Sequence, residues 1–338
     1  METLKVCPST LHPGYETYST TALRHLFYGR KVSHQLNFSL SEAHKEQRKQ
    51  LKENRTKISI SGVQEKYSLK LNKRTLELTD AMGEYILKPI PKDLENVAFV
   101  PANEHLTMQI AAQVYKMDVA KNALIFFSDG ELAYITKRFD VMPDGKRCLK
   151  EDFASLLQKT SETDGKNFKY EGSYDKMANT IDKLLPAPMI AKENLFKQIV
   201  FNYLFGNGDA HLKNFSVVDY YQDGLYQLSP AYDLICTRLH IDDSDFALHD
   251  GLYENDFKHP SYAHYGFYGY DDLYDFGLKI GLLPKRISGF MQNFLAHDQK
   301  VVSLIARSFL SEELKEHYEQ LYLDKLKRLK TSLAGKIA

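Results

Sequence analysis

Gly206-Asn207-Gly208-Asp209-Ala210-His211-Leu212-Lys213-Asn214, followed by Tyr232-Asp233, is the stretch on which the reading of this chain turns. Phosphoryl transfer from a nucleotide asks little covalent chemistry of a protein. It needs a carboxylate to orient the attacking hydroxyl and oxygen ligands to hold Mg²⁺ against the phosphates. Asp209 and Asn214 have the spacing of the base and the metal ligand of a kinase catalytic loop, and Asp233 follows at a distance suited to a second metal-binding strand. His211 either orients Asp209, touches a phosphate or is a structural histidine. Lys213 is placed to neutralise charge on the transferred group. A lone Asp in a Gly turn would signify a turn and nothing more. Four polar groups in this order, directly after a buried helix, carry more than that.

The helix is read from Leu195, Phe196, Ile199, Val200, Tyr203 and Leu204, which recur at helical spacing and predict burial on a broad face. Gly206 stops it. Residues 215–218 and 225–228 predict a hairpin around Gln222-Asp223-Gly224. Helical signals dominate after about residue 140. A terminal helix begins near Ser311-Glu312-Glu313, where the acidic first turn suits the helix dipole. Its stripe of Leu314, Tyr318, Leu321, Lys325 and Leu329 reads as core packing rather than a partner groove.

Upstream the period changes to two. Tyr67, Leu69 and Leu71 alternate with Ser68, Lys70 and Asn72, and Leu76, Leu78 and residues 85–87 continue an antiparallel meander with one buried face. A helix follows Pro101, with Leu106, Ile110, Val114 and Met117 on one face and Asn103 as its expected N-cap. Strands are expected at 123–127 and 132–136. Several strands and one helix make the composition of a kinase small lobe, so the chain reads as α+β and bilobal. Residues 1–56 are an amino-terminal extension, 57–140 the small lobe, and 141–338 the helical large lobe.

A nucleotide site also needs a phosphate loop, a Lys on the phosphates and an acid to hold that Lys. Residues 58–66, with Ser61, Gly62 and Val63, supply one Gly that lets backbone N–H groups approach anions. Taken alone they read by default as a plain hairpin turn. Lys88 ends an apolar strand that Pro89 stops, and Glu104 lies sixteen positions on, a reasonable reach for a strand-to-helix ion pair. The alternative is a strand-end Lys in water. Residues 133–140 would read adenine through their backbone. Residues 240–245 lack the twelve-position calcium pattern and read as a solvated turn. The aromatic, Gly-spaced residues 262–270 either stack on bases, dock a protein or fold on their own rings. Residues 45–52 are a charged helix or linker, a solvated face because acidic residues interleave.

The chain has 338 residues, 43% of them hydrophobic, so a sizeable core is available for two subdomains or two modest domains. Lys+Arg and Asp+Glu are 44 each, which denies the molecule a global basic field for nucleic acid or anionic membrane. Cys7, Cys148 and Cys236 are odd in number and far apart, which suits a reducing cytoplasm. The amino terminus lacks a secretory pattern, and no apolar run approaches the ~20 residues of a membrane span.

Residues 58–66, Asn103-Glu104, Arg138-Phe139-Asp140, 208–216 and 229–234 together resemble the HipA-like serine/threonine kinases of bacterial toxin–antitoxin systems, and they run in that family's order from about residue 57 to 250. The resemblance implies an ATP- and Mg²⁺-dependent kinase of the bilobal fold, cytoplasmic, acting on an aminoacyl-tRNA synthetase. Asp209 would be the base, Asn214 and Asp233 the Mg²⁺ ligands, and Lys88 the phosphate-binding lysine. Glu104, Ser61, Gly62, Val63, His211, Lys213 and Tyr232 would complete the nucleotide site. Only 57 residues precede Ile58, and Ser59 and Ser61 form a Ser-x-Ser pair. Both features are similar to the short toxin HipT of HipBST systems. That likeness implies autophosphorylation at Ser59 and Ser61 and a tryptophanyl-tRNA synthetase target. It also implies a small HipS-like antitoxin and a HipB-like helix-turn-helix partner that binds the DNA, with no strong nucleic-acid contact by this chain. A small-molecule or lipid kinase of the same fold and a non-catalytic binding module are the competing expectations.

Overall fold

A computed structural model of the chain describes residues 3–46, 65–79, 83–91, 95–142 and 144–335. The alternating residues form an antiparallel five-stranded sheet in the order β2-β1-β3-β5-β4. Its strands are β1 (Tyr67–Asn72), β2 (Thr75–Leu78), β3 (Tyr85–Pro89), β4 (Asn122–Phe126) and β5 (Leu132–Lys137). Alternation along β3 assigns its faces. Tyr85 and Leu87 join one apolar cluster, so Lys88 points to the opposite face, where α2 (Val100–Gln113) crosses β4 and β5.

The cluster under Tyr85 and Leu87 is completed by the amino-terminal segment. Cys7, Tyr18, Leu26, Phe27, Val32 and Leu36 are buried there. Helix α1 (Thr20–Phe27) is capped by Ser19, whose Oγ accepts from the Ala22 N–H. The Tyr18 hydroxyl donates to the Leu124 carbonyl at 2.8 Å, and the Tyr85 hydroxyl to the Leu26 carbonyl at 2.7 Å. A second helical stretch starts at residue 40, and Ser39 and Glu42 close a capping box on it. Most of the charged segment 45–52 lies outside the described residues.

Helix α2 starts earlier than the sequence reading placed it. Pro101 fits the first turn, where its missing N–H costs nothing, so the helix begins at Val100 and Asn103 lies inside it, fully buried. Asn103 is therefore not an N-cap. Every residue from Val100 to Ala111 is buried, so α2 is a central helix rather than an amphipathic one.

The rest is mainly helical: α3 (Tyr174–Leu184), α4 (Pro188–Leu204), α5 (Tyr270–Lys279), α6 (Pro284–Leu295), α7 (Asp298–Ala306) and α8 (Glu312–Leu329). The expected hairpin is β7 (Ser216–Asp219) with β8 (Gln227–Leu228), and β6 (Leu149–Asp152) adds a third strand on the other edge of β7. One apolar cluster runs from α2 through α3 and α4 to α8. Phe205, just past α4, stacks on Tyr322 of α8 at 5.1 Å. The α8 stripe is core, and it buries Lys325, whose ammonium pairs with Asp245. Residues 240–245 are accordingly more than a solvated turn: Asp245 also pairs with Arg238 at 3.2 Å, and Asp243 accepts from Thr237 at 2.7 Å. The aromatic run 262–270 folds on its own rings, with Tyr262 and Tyr268 4.5 Å apart and Tyr268 on Phe246 at 4.7 Å. Among the described residues no helix is long and apolar enough to cross a membrane.

Candidate active site

Helix α4 delivers the chain into the turn Gly206-Asn207-Gly208. Gly206 has φ +61°, the left-handed region. At Gly208 a Cβ would lie 2.3–2.6 Å from the Asp243 carboxylate, so any larger residue has to displace that side chain. The Gly208 N–H donates to Thr237 Oγ1 at 2.9 Å. Asn207, buried between them, donates to Asn202 Oδ1 at 2.9 Å and to the Asp233 carbonyl at 3.4 Å, and its Oδ1 accepts from the Asp209 N–H at 3.3 Å. One carboxamide thus ties the loop of Asp209 to the loop of Asp233.

The Asp209 side chain is 44% exposed. Its Oδ1 accepts from the Tyr170 hydroxyl at 2.6 Å, and His211 Nε2 lies 3.9 Å away. Asn214 Nδ2 donates to the Asp209 carbonyl at 3.2 Å, and among the described residues Asn214 Oδ1 accepts no hydrogen bond. Burial lowers the His211 pKa, against the pull of Asp209. Its Nδ1 is buried without a partner among the described residues.

Lys88 is 3% exposed and has two acids on one ammonium. Its Nζ is 2.6 Å from Glu104 Oε1 and 2.5 Å from Asp233 Oδ1, with the Tyr134 ring 5.3 Å away. Burial pulls the Lys88 pKa down. Asp233 and Glu104 override it and hold the ammonium charged. Burial raises Glu104, with Lys88 opposing. Asp233 is held below the carboxylate range because Lys88 and Lys66 outweigh its burial. Lys66 Nζ stands 3.9 Å from Asp233 Oδ2. Asp233 has φ +55°, a strained backbone that its contacts on both sides sustain.

The Asp233 carboxylate and the uncommitted Asn214 Oδ1 are both hard oxygen donors. Among the described residues no group of three His, Cys, Asp or Glu side chains could hold an ion. Two protein oxygens suit Mg²⁺, which keeps waters and phosphate oxygens in its shell, better than a metal that wants an all-protein cage.

Two expected residues are engaged elsewhere. Lys213 Nζ pairs with Asp152 at 3.0 Å rather than reaching toward Asp209. Tyr232 donates its hydroxyl to the Lys213 carbonyl at 2.8 Å and lays its ring 5.5 Å from Phe139, forming a wall. Ser59, Ser61, Gly62 and Val63 lie outside the described residues. Tyr170 and Thr237 went unread in the sequence, since each meets its partner across the fold and neither carries a local pattern. Asn207 was within reach as part of the Gly-Asn-Gly run.

The family model described as HipA-like C-terminal domain matches residues 58–299. A relative from Haemophilus influenzae named as a kinase is 28% identical over 313 residues, 87% of each chain. A relative from Sinorhizobium fredii, Y4dM, also named as a kinase, is 32% identical over 211 residues, 57% of this chain and 48% of that one. The serine/threonine-protein kinase toxin HipA of Shewanella oneidensis is 27% identical over 201 residues, 55% of this chain. The chain spans 45% of that relative, so it covers about half the length of the last two. Among solved structures, Shewanella oneidensis HipA, in complex with HipB and operator DNA, superposes with a TM-score of 0.61 at 22% identity, covering 84% of this chain and 70% of that one. The Helicobacter pylori proinflammatory kinase CtkA superposes at 0.53 and 20% identity, covering 78% of this chain and 90% of that one. At these identities the likeness is one of fold, and the fold is the bilobal kinase one.

Proposed function

The chain belongs to the HipA-like C-terminal domain family, and from that premise we propose that it is the toxin of a bacterial toxin–antitoxin system, an ATP-dependent serine/threonine protein kinase. Its target is an aminoacyl-tRNA synthetase, the tryptophanyl enzyme in the first instance, and the modification blocks translation. The observation that carries this reading is the convergence of Glu104 and Asp233 on Lys88 beside the loop of Asp209 and Asn214.

The nucleotide is taken between a small lobe ending near residue 140 and the helical lobe 141–338. Asp209 accepts the proton of the acceptor hydroxyl as its oxygen bonds to the γ-phosphorus, while the bond from that phosphorus to the β–γ bridging oxygen breaks and ADP leaves. Lys88, kept charged, serves the nucleotide phosphates, and Glu104 holds it in place. Asn214 and Asp233 would hold Mg²⁺, which supplies charge neutralisation at the phosphates when bound. Lys66 is the further cation beside Asp233.

The Ser59 and Ser61 pair supports a HipT-like toxin that phosphorylates itself there. Its proposed partners are a small HipS-like antitoxin and a HipB-like DNA-binding protein. The HipB reading is supported by the Shewanella neighbour's complex. A net charge of zero supports leaving the DNA contact to that partner. Three buried, unpaired cysteines support a reducing cytoplasm.

Incubation with γ-labelled ATP, Mg²⁺ and a bacterial lysate tests the reading. Label on a synthetase is the expected result. Label on a small molecule or lipid would move the protein to another kinase class, and absence of transfer would leave a binding module.

A further inference from the structure

Among the described residues, Tyr170 is the side chain that donates a hydrogen bond to the Asp209 carboxylate. It closes a short turn, Phe168–Tyr170, ahead of α3. Its backbone is fastened on both sides: the N–H donates to the Asn167 carbonyl at 2.8 Å, and the carbonyl accepts from the His249 N–H at 2.9 Å. The ring is stacked on His249 at 6.3 Å, stands edge-on to His211 at 5.3 Å, and has the Lys169 ammonium 4.8 Å from its centroid. A ring held by its backbone and on its faces presents its hydroxyl at a fixed point.

Asp209 needs such a point. A carboxylate turns easily about its last torsion, which has broad rather than staggered minima. Asn207 and Asn214 fix only the backbone N–H and carbonyl of Asp209. Its side chain is half open to solvent. We infer that Tyr170 is a positioning residue for Asp209: its hydroxyl holds Oδ1, so that Oδ2, which accepts no hydrogen bond from the described residues, meets the acceptor hydroxyl. A phenol has one proton to give, and here it goes to Asp209. Burial and the neighbouring Asp209 both raise the Tyr170 pKa, so the phenol keeps that proton. The arrangement has the logic of a base oriented by a third group. It rests on Asp209 acting as the base.

The test uses Tyr170→Phe in the full chain, which keeps the ring and removes the hydroxyl. The initial rate of label transfer from Mg²⁺-ATP into a bacterial lysate is measured against ATP concentration, with Tm recorded alongside. The expected result is a kcat lower by about tenfold, the scale of a modest misplacement of a reacting group, with KM for ATP and Tm unchanged. Tyr170→Ala, which also removes the ring, should lower both the rate and Tm, so the two variants separate hydroxyl from ring. An unchanged rate in Tyr170→Phe overturns the inference. So does a parallel fall in Tm or rise in KM, which a merely structural role would give. A faster variant would make Tyr170 a plug in the acceptor's place, and phosphate on Tyr170 of the active protein would make it an acceptor. Either also overturns it. If Asp209→Asn retains full transfer, the reading of the base fails instead. If Asp209→Asn is inactive and Tyr170→Phe is not slowed, only the present inference fails.

Discussion

Asn103 and Cys236 exchange two hydrogen bonds: the Asn103 Oδ1 accepts from the Cys236 N–H at 3.1 Å, and its Nδ2 donates to the Cys236 carbonyl at 2.8 Å. The carboxamide stands in for a neighbouring strand's backbone. Asn103 adjoins Glu104 on α2, and Cys236 lies three residues beyond Asp233, so the two acids that meet on Lys88 sit on segments fastened to each other one and three residues away. His240 extends the clamp, its Nε2 2.9 Å from Asn103 and its Nδ1 2.9 Å from the Glu95 carbonyl. Thr107 and Tyr318 join α2 to α8 at 2.9 Å. A helix buried all round and tied at both faces cannot swing out as a lever. Glu104 is a fixed post for Lys88.

Replacing Asn103 by Leu should therefore cost both stability and activity. Two buried backbone groups would lose their partners at roughly 1–3 kcal/mol each. We expect a loss of about 2–6 kcal/mol in urea unfolding with an unchanged m-value, and slower transfer as the acids lose register. An effect within about 0.5 kcal/mol, typical of an unremarkable surface site, would show that the clamp is not what fixes α2.

The clamp also marks where the sequence stops being informative. Period-two alternation in β1 and the helical spacing of α4 are local, and both elements lie where they were read. The order of Asp209, Asn214 and Asp233 is likewise a local signal. Asn103 was misplaced because a polar residue after Pro101 looks like a cap, and nothing nearby in sequence points to Cys236, 133 residues away. Tyr170 is 39 residues from Asp209 in an aperiodic turn. The amino-terminal segment looked like a polar extension because its apolar residues follow no period, yet Cys7, Tyr18 and Phe27 are buried against the sheet.

Asp209→Asn should leave a folded protein and remove phosphotransfer by a factor of order 10² or more, since a positioned base is lost without a cavity. Asp233→Asn should act differently. It loses the charge beside Lys88 and one proposed Mg²⁺ ligand, so Mg²⁺-nucleotide affinity should weaken. Calorimetric titration with Mg²⁺-ADP separates the two: normal affinity in the first variant, reduced affinity in the second.

Gly208→Ala places a methyl carbon against the Asp243 carboxylate, which must move aside and give up its hydrogen bond with Thr237. We expect at least a tenfold loss of transfer. Asp243→Gly in the same chain removes the obstructing group and frees the Thr237 hydroxyl, which also lies 3.1 Å from the Gly206 carbonyl. Part of the activity should return. A double variant no better than Gly208→Ala would show that the close approach is not the cause.

Ser59 and Ser61 lie outside the described residues, and the prediction for them rests on charge. Phosphoserine adds about −1.5 to −2 charges. In a phosphate loop that charge competes with the nucleotide. Ser59→Asp with Ser61→Asp should reduce ATP affinity, while the double Ala variant should bind ATP normally and escape any loss of activity on incubation with ATP. Mass spectrometry of the active protein against Asp209→Asn is the direct check, with phosphate expected only in the former.

His105 follows Glu104 on α2 and ties that helix to the amino-terminal segment, its Nε2 lying 2.9 Å from the Ser9 carbonyl. It is 1% exposed, and burial lowers its pKa to about 4 against an ordinary value of 6.5, with the Ser9 contact opposing only in part. Between those two values the unfolded chain carries the proton and the folded chain does not. The unfolded state then binds more protons, so stability rises with pH through that window and is flat with respect to this group above about pH 6.5. At ~1.36 kcal/mol per pKa unit the full effect is about 3 kcal/mol, lost progressively as the pH falls from 6.5 toward 4. His105→Gln keeps a donor for the Ser9 carbonyl and has no proton to gain. The difference in urea midpoint between pH 7.5 and pH 5 should therefore shrink in the variant. An equal difference in both proteins would place the acid sensitivity on another group.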